Sequence, residues 1–141
     1  MLANKEKRNF LIYNWPGIAW AVVILVLIGV PGNYIPAYRS FVDWISPDKV
    51  VHFIMFGGLS FFLLSGLSRQ YQLTKFRWSF AIVCVLISIV YGGVTELLQA
   101  YVFVGRDGNI FDFLANVLGA ILGSLAYGLY LYFRKVCKQR L

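Results

Sequence analysis

The chain has 141 residues, of which 60% are hydrophobic and 13% are charged, and its formal net charge is +7. Soluble domains carry about 25% charged residues, and a soluble fold of this length could not bury so much apolar surface. The basic excess is distributed as in an oriented membrane protein, so we expect no nucleic-acid partner. Cys84 lies in an apolar run and Cys137 in a basic tail, which predicts neither a disulfide nor a Cys/His metal site.

Four apolar segments are long enough to cross a bilayer as helices, because a hydrocarbon core of about 30 Å needs roughly 20 residues. They are predicted at about 14–30, 49–67, 78–99 and 110–133. The first segment is the weakest, since Pro16 and Gly17 open it. The sequence therefore predicts an all-α polytopic membrane protein, with four transmembrane helices in a compact bundle and a single domain over residues 1–141.

The basic residues before the first segment are also typical of a signal peptide. No small-residue cleavage site follows, and Val30-Pro31-Gly32 indicates a helix stop, which favours a retained anchor. Ten of the thirteen basic residues fall in the N-terminal segment, the second loop and the C-terminal segment. Four spans place these three on one side, and the positive-inside rule then predicts cytoplasmic N- and C-termini. The opposite, outward end collects five of the six acidic residues: Asp43, Asp48, Glu96, Asp107 and Asp112.

Two polar groups lie near this end in the second and third spans. Asp48 and His52 are four residues apart, so they share one helical face. Either Asp48 caps the helix while His52 bonds a neighbouring helix, or Asp48 orients His52 for acid–base work. Glu96 lies about one turn inside the third span, where a lipid-facing carboxylate would be costly. It is expected to pair with Arg106 or Lys49, or to act as a general base or cation ligand.

The densest polar segment joins the third and fourth spans. A tight turn explains Asp107 and Asn109, but Asp112 and Asn116 continue the same helical face one and two turns into the fourth span. Below them, small residues at four-residue spacing allow close helix approach. These patterns predict a tight bundle with a polar mouth.

Three motifs carry a resemblance to a known family. They are DKVVHFIMF at 48–56, TELLQ at 95–99 and GRDGNIFDFLANVLG at 105–119. Their order and spacing resemble the VanZ-like family of bacterial membrane proteins, whose named member is linked to teicoplanin resistance. The resemblance implies a multi-pass protein of the bacterial cytoplasmic membrane with a polar site at the cell envelope. It does not supply a reaction.

Three functions remain open from the sequence. The first is binding of a membrane lipid, a lipid-linked cell-wall precursor or a glycopeptide, with a homo-oligomer also open. The second is a small intramembrane enzyme acting on an envelope lipid, and the third is a scaffold in which the polar cluster only locks the helices. The candidate catalytic residues are His52, Glu96 and Asp112; the candidate ligand-binding residues are Asp48, Lys49, Gln99, Arg106, Asp107, Asn109 and Asn116. No cofactor is expected, since no metal motif is present, although one histidine with Asp48, Glu96 and Asp112 suits a divalent ion.

Overall fold

The computed structural model describes residues 2–30, 47–103 and 108–139, with side chains from Phe10 onward. The helices of these ranges are α1 (Leu2–Ile28), α2 (Pro47–Gln70), α3 (Trp78–Tyr101) and α4 (Ile110–Gln139). Each is long and apolar enough to cross a membrane. The prediction of an all-α protein with four membrane spans is confirmed.

The predicted helix starts at Trp78 and Ile110 agree with the structure, whereas the first helix differs. Helix α1 begins at Leu2 and contains Pro16, so the prediction that Pro16 opens the helix is wrong. A proline in a helix removes one backbone hydrogen bond, but membrane helices tolerate this where neighbouring helices and local adjustments compensate. The apolar part of α1 begins at Phe10, and the polar residues before it extend the same helix.

Successive helices run in opposite directions. We call the end that holds the first turns of α2 and α4 the acidic end, and the end that holds the 71–77 turn the basic end. Asn14 Nδ2 of α1 donates to Gln70 Oε1 of α2 at 2.9 Å near the basic end. Towards the acidic end, Trp20 Nε1 donates to the Met55 carbonyl at 2.8 Å. These contacts hold α1 antiparallel along α2.

Helices α2 and α4 run parallel and make the most extensive helix–helix contact of the described residues. Glycines allow this approach: a Cβ added at Gly119 would overlap the carbonyl oxygen of Phe53, and one at Gly123 would overlap that of Gly57. In a membrane, such a crossing is stabilised by van der Waals packing between the two closely spaced backbones. The small-residue pattern of the fourth span thus serves the packing that the sequence predicts.

Large apolar side chains are exposed along the outer faces of all four helices, including Val26, Ile54, Val90 and Leu118. Contiguous apolar surface of this extent is rare on a soluble monomer. Together with the four spans it describes a multi-pass membrane protein whose sides face lipid. The orientation of the two ends across the membrane stays a prediction.

Candidate functional site

Three helices bring buried polar side chains together at the acidic end. His52 lies in the second turn of α2, Glu96 near the end of α3, and Asn116 in the second turn of α4. Their exposed fractions are 2%, 9% and 0%. Buried polar groups in an apolar bundle are stable when they hydrogen-bond one another. These positions show that spans two, three and four meet at this end, as the sequence predicts.

A directed chain of hydrogen bonds connects the three side chains. Asn116 Nδ2 donates to Glu96 Oε1 at 3.2 Å, so Asn116 presents its carbonyl oxygen to His52. The His52 Nδ1 atom lies 3.0 Å from that Oδ1 and must be the donor, since an amide oxygen only accepts. Nδ1 therefore carries a proton in this arrangement. His52 Nδ1 also lies 3.6 Å from Glu96 Oε1, which adds an ion pair if the ring is protonated.

The second oxygen of Glu96 organises the start of α4. The Asn109 backbone N–H donates to Glu96 Oε2 at 3.1 Å, and Asn109 Oδ1 accepts from the Phe111 N–H at 2.9 Å. The latter is the geometry of a helix N-cap. Glu96 and Asn109 thus fix where α4 begins relative to α3.

A second group lies next to this chain. One ring nitrogen of His52 and one carboxylate oxygen each of Asp48 and Asp112 lie within 4.8 Å of one another. Asp48 is partly exposed, whereas Asp112 is 5% exposed. Asp112 Oδ1 is buried without a hydrogen-bond partner among the described residues. An oxygen of this kind is costly unless something else satisfies it.

Of the other predicted site residues, two are described by the structure and two are not. Gln99 is buried one turn beyond Thr95, and Lys49 Nζ lies 5.8 Å from the centre of the Phe111 ring. Arg106 and Asp107 lie outside the described residues. The structure therefore assembles His52, Glu96, Asp112, Asp48, Asn109 and Asn116 at one end, with Lys49 and Gln99 in the same turns of α2 and α3.

Sequence reasoning did not anticipate an apolar groove on the flank of the bundle. It has a volume of about 350 Å³ and lies between α2 and α4. Its α2 wall includes Phe53, Gly57 and Phe61, and its α4 wall includes Gly119 and Ala126. The glycines on both helices were visible in the sequence, but nothing there indicated that these two helices pack against each other.

A different concave surface lies at the basic end. It has a volume of about 390 Å³, and Arg69, Arg134, Lys135 and Lys138 line it together with neutral residues of the 71–77 turn. It is separated from the acidic end by the length of the helices. Any test of ligand binding at the acidic end has to distinguish the two.

Comparisons with known proteins agree with the motifs. No significant match is found among curated proteins, and no solved structure matches significantly. The family model VanZ/LLP1 matches residues 8–132, which include all four spans' apolar cores and every described residue of the polar cluster. The chain is therefore a multi-pass membrane protein that belongs to the VanZ/LLP1 family.

Proposed function

We propose that this protein binds an acylated ligand of the bacterial cell envelope, with the polar head at the acidic end and the acyl chain in the groove between α2 and α4. The ligand class we favour is a lipid-linked cell-wall intermediate. The acidic end then faces outward, as the distribution of basic residues predicts. The single observation that carries the proposal is an apolar groove between α2 and α4 whose uppermost lining residues, Phe53 and Gly119, lie within one turn of the polar cluster along their helices.

The upper lining residues of the groove lie close to cluster residues along both helices. Phe53, at the upper end of the groove, follows His52 directly, and Gly119 lies one turn below Asn116. From Phe53 to Phe61 the α2 wall rises about 12 Å, at about 1.5 Å per residue. A ligand whose polar head lies at the acidic end would then extend an apolar chain along α2 and α4 into the groove.

The acyl chain is the occupant that the surroundings favour. The groove opens on the flank of the bundle beside Ile54 and Leu122, which are exposed where the helices face lipid. Acyl chains are the solvent at that depth, and a glycine-lined depression lets one chain approach the backbone closely. Teicoplanin also carries an acyl chain, so the resistance linked to the family is compatible with the same mode of binding.

The head-group chemistry is set by acceptors rather than donors. Asp48, Asp112 and the Asn116 region offer carboxylate and amide oxygens, which accept hydrogen bonds from sugar hydroxyls. Lys49 adds a cation at the same end. A glycosylated head suits this arrangement better than a plain phosphate head.

Native mass spectrometry of the purified protein tests the proposal. The probes are a polyprenyl-diphosphate-linked disaccharide, teicoplanin, and the teicoplanin core without its acyl chain. Ala126→Phe fills the groove from its α4 wall, and Ala19→Phe adds the same ring to an exposed site on α1. We expect Ala126→Phe to weaken binding of an acylated probe at least tenfold and Ala19→Phe to leave it unchanged. Equal binding by wild type and Ala126→Phe contradicts the proposal.

Binding at the basic end is controlled separately. The paired substitution Arg134→Gln and Lys138→Gln removes two charges from the basic surface and none from the acidic end. We expect it to leave binding of the acylated probes unchanged. Loss of binding in this variant would move the ligand to the other end of the bundle.

A structural scaffold is the second candidate, because the His52–Asn116–Glu96 chain satisfies its members internally. Under that alternative, Asn116→Leu lowers stability and cellular function together, and Ala126→Phe affects neither. A folded Ala126→Phe protein without function would exclude a purely structural role. Unchanged function would favour it.

A further inference from the structure

We infer that Asp48, His52 and Asp112 form a binding site for one divalent transition-metal ion at the acidic end. The site consists of a ring nitrogen and two carboxylate oxygens that already lie within 4.8 Å of one another. Neighbouring donor atoms bound at about 2.0–2.2 Å to a common ion lie roughly 3.0–3.6 Å apart, so a pair at the 4.8 Å limit needs to close by about 1.2 Å or more. Side-chain rotation of the partly exposed Asp48 can supply that movement.

The buried oxygen of Asp112 points independently to a cation. Its Oδ1 atom is buried and has no hydrogen-bond partner among the described residues. A buried carboxylate oxygen without a partner costs free energy, and a metal ion satisfies it more strongly than a neutral donor does. The first turn of α4 favours negative charge at Asp112, but the helix terminus alone leaves this oxygen unsatisfied.

His52 is held as metal-binding histidines usually are. Its Nδ1–H donates to Asn116 Oδ1 at 3.0 Å, and Asn116 is in turn fixed by Glu96. Metal-ligating histidines almost always give their other N–H to a carbonyl or carboxylate, which fixes the tautomer and the ring orientation. Here the bond occupies Nδ1, which leaves Nε2 as the ring nitrogen for a metal ion.

The donor set indicates which ions fit. One imidazole with two carboxylates suits Mn²⁺, Fe²⁺ or Zn²⁺ better than copper or a soft ion, which thiolate or several nitrogen ligands would favour. Three protein donors leave at least one coordination position for water or for a ligand oxygen. Such a position at the acidic end is suited to an oxygen of the ligand's head group.

The ion also changes which head groups the acidic end accepts, a step that rests on the proposed function. The described residues place three carboxylates, Asp48, Glu96 and Asp112, near Lys49 and His52. Two further positive charges offset this excess and add a direct ligand for phosphate oxygen. A diphosphate-linked lipid, which bare carboxylates would repel, is then bound through the metal.

Mn²⁺ titration followed by electron paramagnetic resonance tests the site on the full chain in detergent without added lipid. We expect one Mn²⁺ per wild-type chain, displaced by Zn²⁺, with ¹⁴N coupling from the ring. Asp112→Asn and Asp48→Asn should each weaken binding at least tenfold, and His52→Gln should remove the ¹⁴N coupling. Asn116→Leu should weaken binding about tenfold through the orientation of His52. Glu6→Gln, a charge-matched change in α1 near the basic end, should have no effect.

Two results would overturn the inference. One is a folded wild-type protein that binds neither Mn²⁺ nor Zn²⁺ below millimolar concentration. The other is Mn²⁺ binding that survives both Asp48→Asn and Asp112→Asn, with helical circular dichroism confirming that the variants fold. Because Asp48 is partly exposed, its variant keeps the test valid if Asp112→Asn fails to fold.

The metal and ligand proposals fail in different ways. Metal binding without any binding of the acylated probes rejects the proposed function and leaves the metal site standing. Binding of the diphosphate-linked probe that is unchanged by EDTA rejects the metal's role in head-group binding and leaves the groove standing. Loss of that binding in EDTA, restored by Mn²⁺, supports both.

Discussion

Replacing Gly123 with alanine is expected to destabilise the bundle more than the same change at Gly57 or Gly93, because the new methyl group overlaps the backbone of the neighbouring helix. The added Cβ would overlap the Gly57 carbonyl oxygen and would lie 2.7 Å from the carbonyl carbon of the same residue. Ordinary contact begins at 3.4 Å. Helices α2 and α4 must therefore separate locally by at least about 0.7 Å, since the atoms met by the new methyl group are backbone and cannot rotate away.

The free-energy change follows from that separation. A gap of 0.5–1 Å forfeits about a quarter to a half of the dispersion energy of each separated contact, and overpacking of a well-packed core costs about 1–3 kcal/mol. Both partners are backbone, so we expect Gly123→Ala to lower the free energy of unfolding by about 3 kcal/mol. Reversible unfolding of the purified protein in mixed detergent and SDS micelles, followed by circular dichroism, measures the change.

Two other glycines supply a graded control. A Cβ at Gly57 would lie 3.2 Å from the Gly119 carbonyl oxygen, and one at Gly93 would lie 3.7 Å from the Phe113 ring, an ordinary contact. We expect Gly57→Ala to lower stability by about 1 kcal/mol and Gly93→Ala to change it by less than about 0.5 kcal/mol. A Gly123→Ala protein as stable as Gly93→Ala would refute the close backbone crossing of α2 and α4.

Two further stability predictions concern single polar groups and use the same unfolding assay. Trp20→Phe keeps an aromatic ring but removes the donor to the Met55 carbonyl, so the free energy of unfolding should fall by about 1 kcal/mol; no loss would mean that the bond has no net effect in the membrane. Ser60→Ala removes a buried hydroxyl without a partner among the described residues and should raise stability by up to about 1 kcal/mol. A loss in Ser60→Ala would show that the hydroxyl is satisfied in the membrane.

The spans could be predicted from the sequence because each is a long apolar run that needs no knowledge of its neighbours. The starts at Trp78 and Ile110 follow from the polar turns that precede them. The start of α1 could not be predicted in the same way. Pro16 is a strong stop signal in water, but its effect depends on the surroundings of the helix, and here α1 continues through it.

Helical spacing indicated which residues share a face at the acidic end, but not which of them form hydrogen bonds with each other. Helical spacing places Asp112 and Asn116 on one buried face of α4, as the structure has them. Spacing alone favoured a bond from His52 to a neighbouring helix over one to Asp48, but it could not name the partner residue. The structure assigns Nδ1 to Asn116 from another helix, and distances between helices are set by packing that no local pattern encodes.

That packing connects the glycines to the polar cluster. Asn116 has room beside α3 because Gly92 has no side chain: a Cβ there would lie 3.2 Å from the Asn116 Cβ. On the other side, Gly119 allows α4 to touch the backbone of Phe53, the residue after His52. A larger residue at either glycine would push apart helices that the 3.0 Å bond between His52 and Asn116 needs close together. The small residues are therefore a condition for the hydrogen-bond chain as well as for the groove, and one crossing of α2 and α4 positions both parts of the proposed ligand site.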